Sequence, residues 1–156
     1  MLPCGGTLDP SGADAYIPAH NDTRDVSTYT TTVPVRFRDI DAMGHMNNAV
    51  YATYLEQART EYFRDVLDAD LSSVSTVLAS LSISFRRPIH LEDESVAVEI
   101  DVTDIGESSV PMVYELRTNE GVVAEAESVQ VAIDETGSSR PIPEAYRTAI
   151  ESYHGL

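Results

Sequence analysis

The stretch "VRFRDIDAMGHMNNAVYATYLEQARTEYF", Val35 to Phe63, contains a change of period. On its upstream side Val33, Val35 and Phe37 alternate with Pro34, Arg36 and Arg38, the two-residue repeat of a half-buried strand. Downstream, Tyr51, Leu55, Ala58, Tyr62 and Val66 recur at spacings of three and four, which is one apolar stripe on a helix. The helix is expected from about Asn48 to about Leu67. Between the two lies "DIDAMGHMNN", Asp39 to Asn48, a turn crowded with groups that titrate, cap or hydrogen-bond.

Beyond the helix, four further segments read as strands. Ala79, Leu81, Ile83 and Phe85 alternate with Ser80, Ser82, Ser84 and Arg86. Val96, Val98, Ile100 and Val102 form the next apolar set, and Val110, Met112, Tyr114 and Leu116 the one after. The last segment spans about Val122 to Asp134; its two halves are out of phase, which predicts a bulge near Glu127 or Ser128. Gly106 in "DIGESS" and Gly121 in "TNEGV" are expected at positive φ in hairpin turns. The tail "PIPEAYRTAIESY" reads as a Pro-started helix. Strand, long helix, four antiparallel strands and a short helix make an α+β layer architecture over residues 29–156. Residues 1–28, rich in Gly, Pro, Asp, Ser and Thr without periodicity, are expected to be a disordered leader.

Charge narrows the partners. Of 156 residues, 26 are acidic and 10 basic, every basic one is Arg, and the net charge is −16. Such self-repulsion weakens a compact state in dilute salt, while about 1 M salt shortens the Debye length to about 3 Å. The composition therefore suggests a protein adapted to a very salty cytoplasm; the competing reading is an acidic surface for a basic partner. Nucleic acid is a poor partner, because phosphate binding needs a basic face. No apolar run approaches the roughly 18 residues of a membrane span. The opening "MLPCGGTLDP" lacks the basic start and apolar core of a secretory signal, so the expected location is the cytoplasm. The lone Cys4 and the scattered His20, His45, His90 and His154 give no metal-ligand spacing, and no cofactor is implied.

The turn itself reads as follows. Asn47 suits the N-cap of the helix, its side chain accepting from the N–H of Ala49 or Val50. Gly44 permits the tight backbone before it. The first N–H groups of a helix lack partners, so that of Asn48 is available to a developing oxyanion. Asp41 lies seven residues earlier, within reach of the same place. One carboxylate and one free amide suit thioester hydrolysis: a thiol of pKa about 8.5 leaves with little acid assistance. Asp and Asn are also frequent in turns for local reasons, His45 is an ordinary turn residue, and Glu56 and Arg59 can pair on the helix surface. There is no GxSxG elbow for a serine hydrolase.

Arg36, Asp41, Gly44, His45, Asn47, Tyr51, Glu56 and Arg59 in this stretch, with "SISFRRPIHLEDE" further on, resemble hotdog-fold acyl-CoA thioesterases of the 4-hydroxybenzoyl-CoA thioesterase type. That resemblance implies a five-stranded antiparallel sheet wrapped around the long helix. It implies dimers joined edge to edge, or tetramers of them, with the site at the dimer interface. Asp41 would be the catalytic carboxylate, as nucleophile or general base, and the Asn48 N–H the oxyanion donor. His45, Asn47 and Glu56 would position substrate. The substrate would be an acyl-CoA or an acyl-carrier thioester. Arg86 and Arg87 would meet CoA phosphates, or else pair with Glu92, Asp93 or Glu94. An acyl-CoA sensing module without turnover and a hotdog enoyl-thioester hydratase, using Asp41 with His45, are the alternatives.

Overall fold

The computed structural model describes residues 28–156, so the expectation of a leader over 1–28 falls, Thr28 excepted, outside it. In chain order the elements are β1 (Tyr29–Pro34), α1 (Asn48–Leu67), β2 (Thr76–Phe85), β3 (Ser95–Asp101), β4 (Ser109–Thr118), β5 (Gly121–Ala132) and α2 (Glu144–His154). The strands form one antiparallel sheet in the order β1-β3-β4-β5-β2, wrapped on α1. This is the hotdog fold. Among the described residues no helix is long and apolar enough to cross a membrane.

The alternations expected in β3 and β4 set the core. Val96, Val98 and Ile100 of β3 and Leu116 of β4 have no exposed surface, and each buried aliphatic side chain is worth about 1.5–3 kcal/mol over an exposed one. The helix presents Tyr51, Leu55, Ala58 and Tyr62 to them, as its spacing predicts. Tyr62 meets Tyr29 edge to face, ring centroids 5.4 Å apart, and its hydroxyl lies 2.9 Å from Nε2 of buried His154 in α2. Helix α1 comes closest to β1, β3 and α2, and it meets β2 where Tyr51 packs on Phe85.

Four expectations change. The first strand ends at Pro34, and Phe37 sits in a 3-10 turn (Phe37–Asp39) at 83% exposure. The cause is Asp39, whose carboxylate takes the Arg36 N–H at 3.0 Å and bends the chain out of the sheet. No bulge occurs at Glu127 or Ser128, which pair in register with both neighbours. The irregularities lie at Val123 in β5 and Ala79 in β2. In β5 the inner row is therefore Ala124, Ala126, Ser128, Gln130 and Ala132, with Val129 and Val131 turned outward. Gly121 has the expected positive φ (+115°), but Gly106 does not. Gly106 is needed for space instead: a Cβ there would lie 2.6 Å from Ser109 Oγ. Finally, the Glu56–Arg59 surface pair is not formed, because Arg59 points inward and is 6% exposed.

The Val123 bulge has a local use. Its carbonyl accepts both the Arg86 N–H (2.8 Å) and the Arg87 N–H (3.1 Å), which pins the chain leaving β2 beside the N-terminus of α1.

Candidate active site

The turn between β1 and α1 is closed by its backbone. Asp41 N–H donates to the His45 carbonyl (2.8 Å), Gly44 N–H to the Asp41 carbonyl (3.1 Å), and Asn47 N–H to the Asp39 carbonyl (2.9 Å). Met46 N–H donates to the Ile89 carbonyl (2.8 Å), tying the turn to the segment after β2. Gly44, at φ +82°, supplies the left-handed residue that this path requires.

The two aspartates of the turn are used differently. Asp39 is buried. Its Oδ2 accepts the Tyr54 hydroxyl at 2.6 Å as well as the Arg36 N–H, so it anchors the turn to the helix. Burial, then this carboxylate, push the Tyr54 phenol well above its ordinary range. Asp41 is exposed. Its Oδ1 accepts the N–H groups of Met43 (2.8 Å) and His45 (3.3 Å), an Asx turn that fixes the carboxylate's orientation. Among the described residues its Oδ2 has no donor.

At the helix start Asn47 caps as expected: Oδ1 accepts the Ala49 N–H at 2.9 Å, and its carbonyl accepts the Val50 N–H at 2.9 Å. These two bonds use the second and third amides. The first, the N–H of Asn48, has no acceptor among the described residues and sits at the positive end of the helix dipole.

Asn48 borders an open cleft of about 270 Å³. Its walls include His45 and Tyr51 from the turn and helix, and Phe85, Arg86 and Arg87 from the end of β2. Tyr51 packs edge to face on Phe85 with centroids 4.9 Å apart, and burial raises its phenol pKa. Thus the structure brings His45, Asn48, Arg86 and Arg87 to one hollow, next to the turn that carries Asp41 and Asn47. Glu56, farther along α1 on its exposed side, does not line the cleft.

Neither arginine pairs with Glu92, Asp93 or Glu94. Arg86 closes on Glu125 of β5, with Nε at 2.8 Å and Nη2 at 2.6 Å from Oε2. Arg87 donates Nη1 to the Glu120 carbonyl at 2.6 Å and, among the described residues, meets no carboxylate, so its charge at the cleft rim is unmatched there. The His45 ring turns toward His90, centroids 5.1 Å apart, rather than toward Asp41. A larger hollow, about 810 Å³, lies on the opposite face of the sheet. Its two arginines are already engaged, Arg117 with Glu99 and Glu115, Arg86 with Glu125; carboxylates outnumber them, and it does not reach the turn.

Three participants escaped the sequence reading: Asp39 as anchor, His90 beside His45, and Arg59 in the core. Only Arg59 carried a usable signal, since it falls four residues after Leu55 and three before Tyr62, on the buried side of the helix.

The chain is similar to known proteins across this whole region. Residues 35–150 match the Thioesterase-like superfamily. A thioesterase from Thermus thermophilus, solved in complex with coenzyme A and Zn, is 35% identical; the match covers 81% of this chain and 94% of that one, with a TM-score of 0.74. PA2801 from Pseudomonas aeruginosa is 31% identical over 78% of this chain and 96% of its own, with a TM-score of 0.70. SAV2348 from Staphylococcus aureus, in complex with CoA, shares the fold at 18% identity and a TM-score of 0.75, covering 82% of this chain and 84% of that one. The protein YsmA of Bacillus subtilis (strain 168) is 28% identical over 88 residues, 56% of this chain and 59% of YsmA, so the match spans about three fifths of that relative. With its matched segment enclosing the turn, the central helix and strands β2 to β5, this chain belongs to the Thioesterase-like superfamily.

Proposed function

We propose that this protein is an acyl-CoA thioesterase in which Asp41 is the catalytic carboxylate and the Asn48 N–H receives the oxyanion. The observation that carries the reading is the contrast within one turn. Among the described residues, Asp41 exposes a carboxylate oxygen without a donor, and the turn ends on an amide without an acceptor. In one route Asp41 Oδ2 attacks the thioester carbonyl, the C–S bond breaks as thiolate leaves, and water cleaves the resulting anhydride. In the other, Asp41 takes a proton from water as water attacks. In both, negative charge develops on the carbonyl oxygen, and a preorganised amide at a helix N-terminus is worth most at that moment.

Several features support the remaining assignments. The Thermus thermophilus relative was solved with coenzyme A, which favours a CoA thioester over other substrates. Arg87, charged and unmatched at the cleft rim, is suited to a CoA phosphate; Arg86 would have to share its guanidinium with Glu125. His45 and Asn47 shape the turn, and Glu56 would reach substrate only across a subunit boundary. Strand β2 is an unpaired edge of ten residues with Val77 and Leu78 exposed at 42% and 43%, which favours an edge-to-edge homodimer and tetramers of it. The location proposed is the cytoplasm, in strong salt, where the −16 net charge is screened; a melting temperature that does not rise with KCl would remove that part.

The test is thiol release from a panel of acyl-CoA thioesters in concentrated KCl. Hydrolysis of at least one is expected. Tight binding by calorimetry without thiol release would make the protein a sensor. Loss of enoyl absorbance from crotonyl-CoA without thiol release would make it a hydratase. That last outcome is disfavoured because Asp41 and His45 meet through the backbone, not through the imidazole.

A further inference from the structure

Among the described residues Arg59 is a cation without an anion. It lies in the middle of α1 on the side facing the sheet, 6% exposed, and its Nη1 is buried with no acceptor. Among the described residues no carboxylate pairs with it; the carboxylates matched to arginine here are Asp65, Glu99, Glu115, Glu125 and Glu151, each with another partner. The Arg59 guanidinium stands beside the Tyr114 phenol, and that hydroxyl lies 2.8 Å from Ser128 Oγ. One pleat further along the same inner row, Gln130 Nε2 is also buried without an acceptor. A buried guanidinium without a counter-charge is costly. A fold that keeps one in place has an anion to put there.

The position says which anion. Ser128 pairs with Leu81 of β2, and Leu81 and Ile83, on the same inner face of the sheet, are only half-buried. The space between α1 and β2 is therefore only partly closed by this chain, and Tyr51 and Phe85, which wall the candidate cleft, stand at one end of it. Arg59 follows Tyr51 by eight residues, about 12 Å along the helix. A thioester carbonyl held at Asn48 would direct its acyl chain into this gap, with the far end arriving near Arg59. We propose that Arg59 recognises a carboxylate at the distal end of the acyl group, so that the preferred substrates are CoA thioesters of dicarboxylic acids. A guanidinium matches a carboxylate through two parallel N–H bonds, and Tyr114 and Gln130 stand near as further donors.

This inference rests on the thioesterase reading and is tested separately from it. The rates of thiol release from CoA thioesters of dicarboxylic acids are compared with those of monocarboxylic acids of equal chain length, in wild type, Arg59→Met and Arg59→Lys. The expected result is a wild-type preference for the dicarboxylic series of about tenfold or more at one chain length, the worth of about 1.4 kcal/mol. Arg59→Met should lose that preference while still hydrolysing the monocarboxylic series, and Arg59→Lys should recover part of it. A wild type indifferent to the distal carboxylate overturns the proposal, as does an Arg59→Met that keeps the preference. If neither series is hydrolysed, the thioesterase reading fails, and calorimetry with the same thioesters still decides: tighter wild-type binding of the dicarboxylic series, lost in Arg59→Met, upholds the anion site. Should Arg59→Met not fold, the wild-type comparison and Arg59→Lys decide alone.

Discussion

Strands β3 and β2 carry the same alternation of apolar and polar residues, and their fates differ. In β3, Val96, Val98 and Ile100 have no exposed surface; in β2, Leu81 and Ile83 are half-buried and Phe85 is 46% exposed. The difference is neighbours. β3 lies between β1 and β4 close beneath α1, whereas β2 closes the sheet and pairs only with β5. Alternation reports which way side chains point from a pleat, not what will cover them. In this molecule the covered half holds the fold, and the uncovered half is where the proposed substrate and second subunit would sit.

The comparison can be broken with one kind of substitution at two places. Ile100→Ala in β3 should cost about 2–5 kcal/mol of unfolding free energy, while Ile83→Ala in β2 should cost less than about 2 kcal/mol. Urea titrations at a single KCl concentration measure both. Equal costs would mean that β2 is as tightly covered as β3, and the gap would not exist.

A smaller contrast is expected between the two aspartates of the turn. Asp39→Ala strands the Arg36 N–H and leaves the Tyr54 hydroxyl only the Pro34 carbonyl at 3.0 Å, and should cost about 1–3 kcal/mol. Asp41→Ala removes only exposed Asx-turn bonds and should cost under about 1 kcal/mol in the same assay. A reversal would make Asp41 the structural member.

Smallest is the effect at the cleft rim. Arg87→Ala should raise KM for a CoA thioester by roughly fivefold, about 1 kcal/mol, with kcat unchanged. The factor should shrink as KCl rises. A fall in kcat instead would move Arg87 from phosphate binding to the reaction.

Much of this was legible in the residues. The helix bounds Asn48 and Leu67, the Asn47 cap and the five strands follow from period and capping chemistry, which are local. What failed was non-local or sub-period. Phe37 fits the strand alternation, but Asp39 draws the Arg36 amide out of the ladder. In β5 the inward row is small and polar, so Val129, Val131 and Ile133 imitated a core face that Ala126, Ser128 and Gln130 actually form. Arg59 was placed on the surface because a charged residue on a helix usually lies there; only its phase relative to Leu55 and Tyr62 argued otherwise. At the site, the turn could be read as a set of hydrogen-bonding groups, but not which aspartate is spent on structure.

That division of labour is the core of the account, and one experiment addresses it. Asp41→Asn keeps the turn's acceptor at Oδ1 and removes the charge, so circular dichroism and the urea midpoint should stay at wild-type values. Thiol release from a good acyl-CoA substrate should fall by about 10²-fold or more, as expected for loss of a nucleophile or general base. A folded Asp41→Asn protein that hydrolyses at the wild-type rate would contradict it.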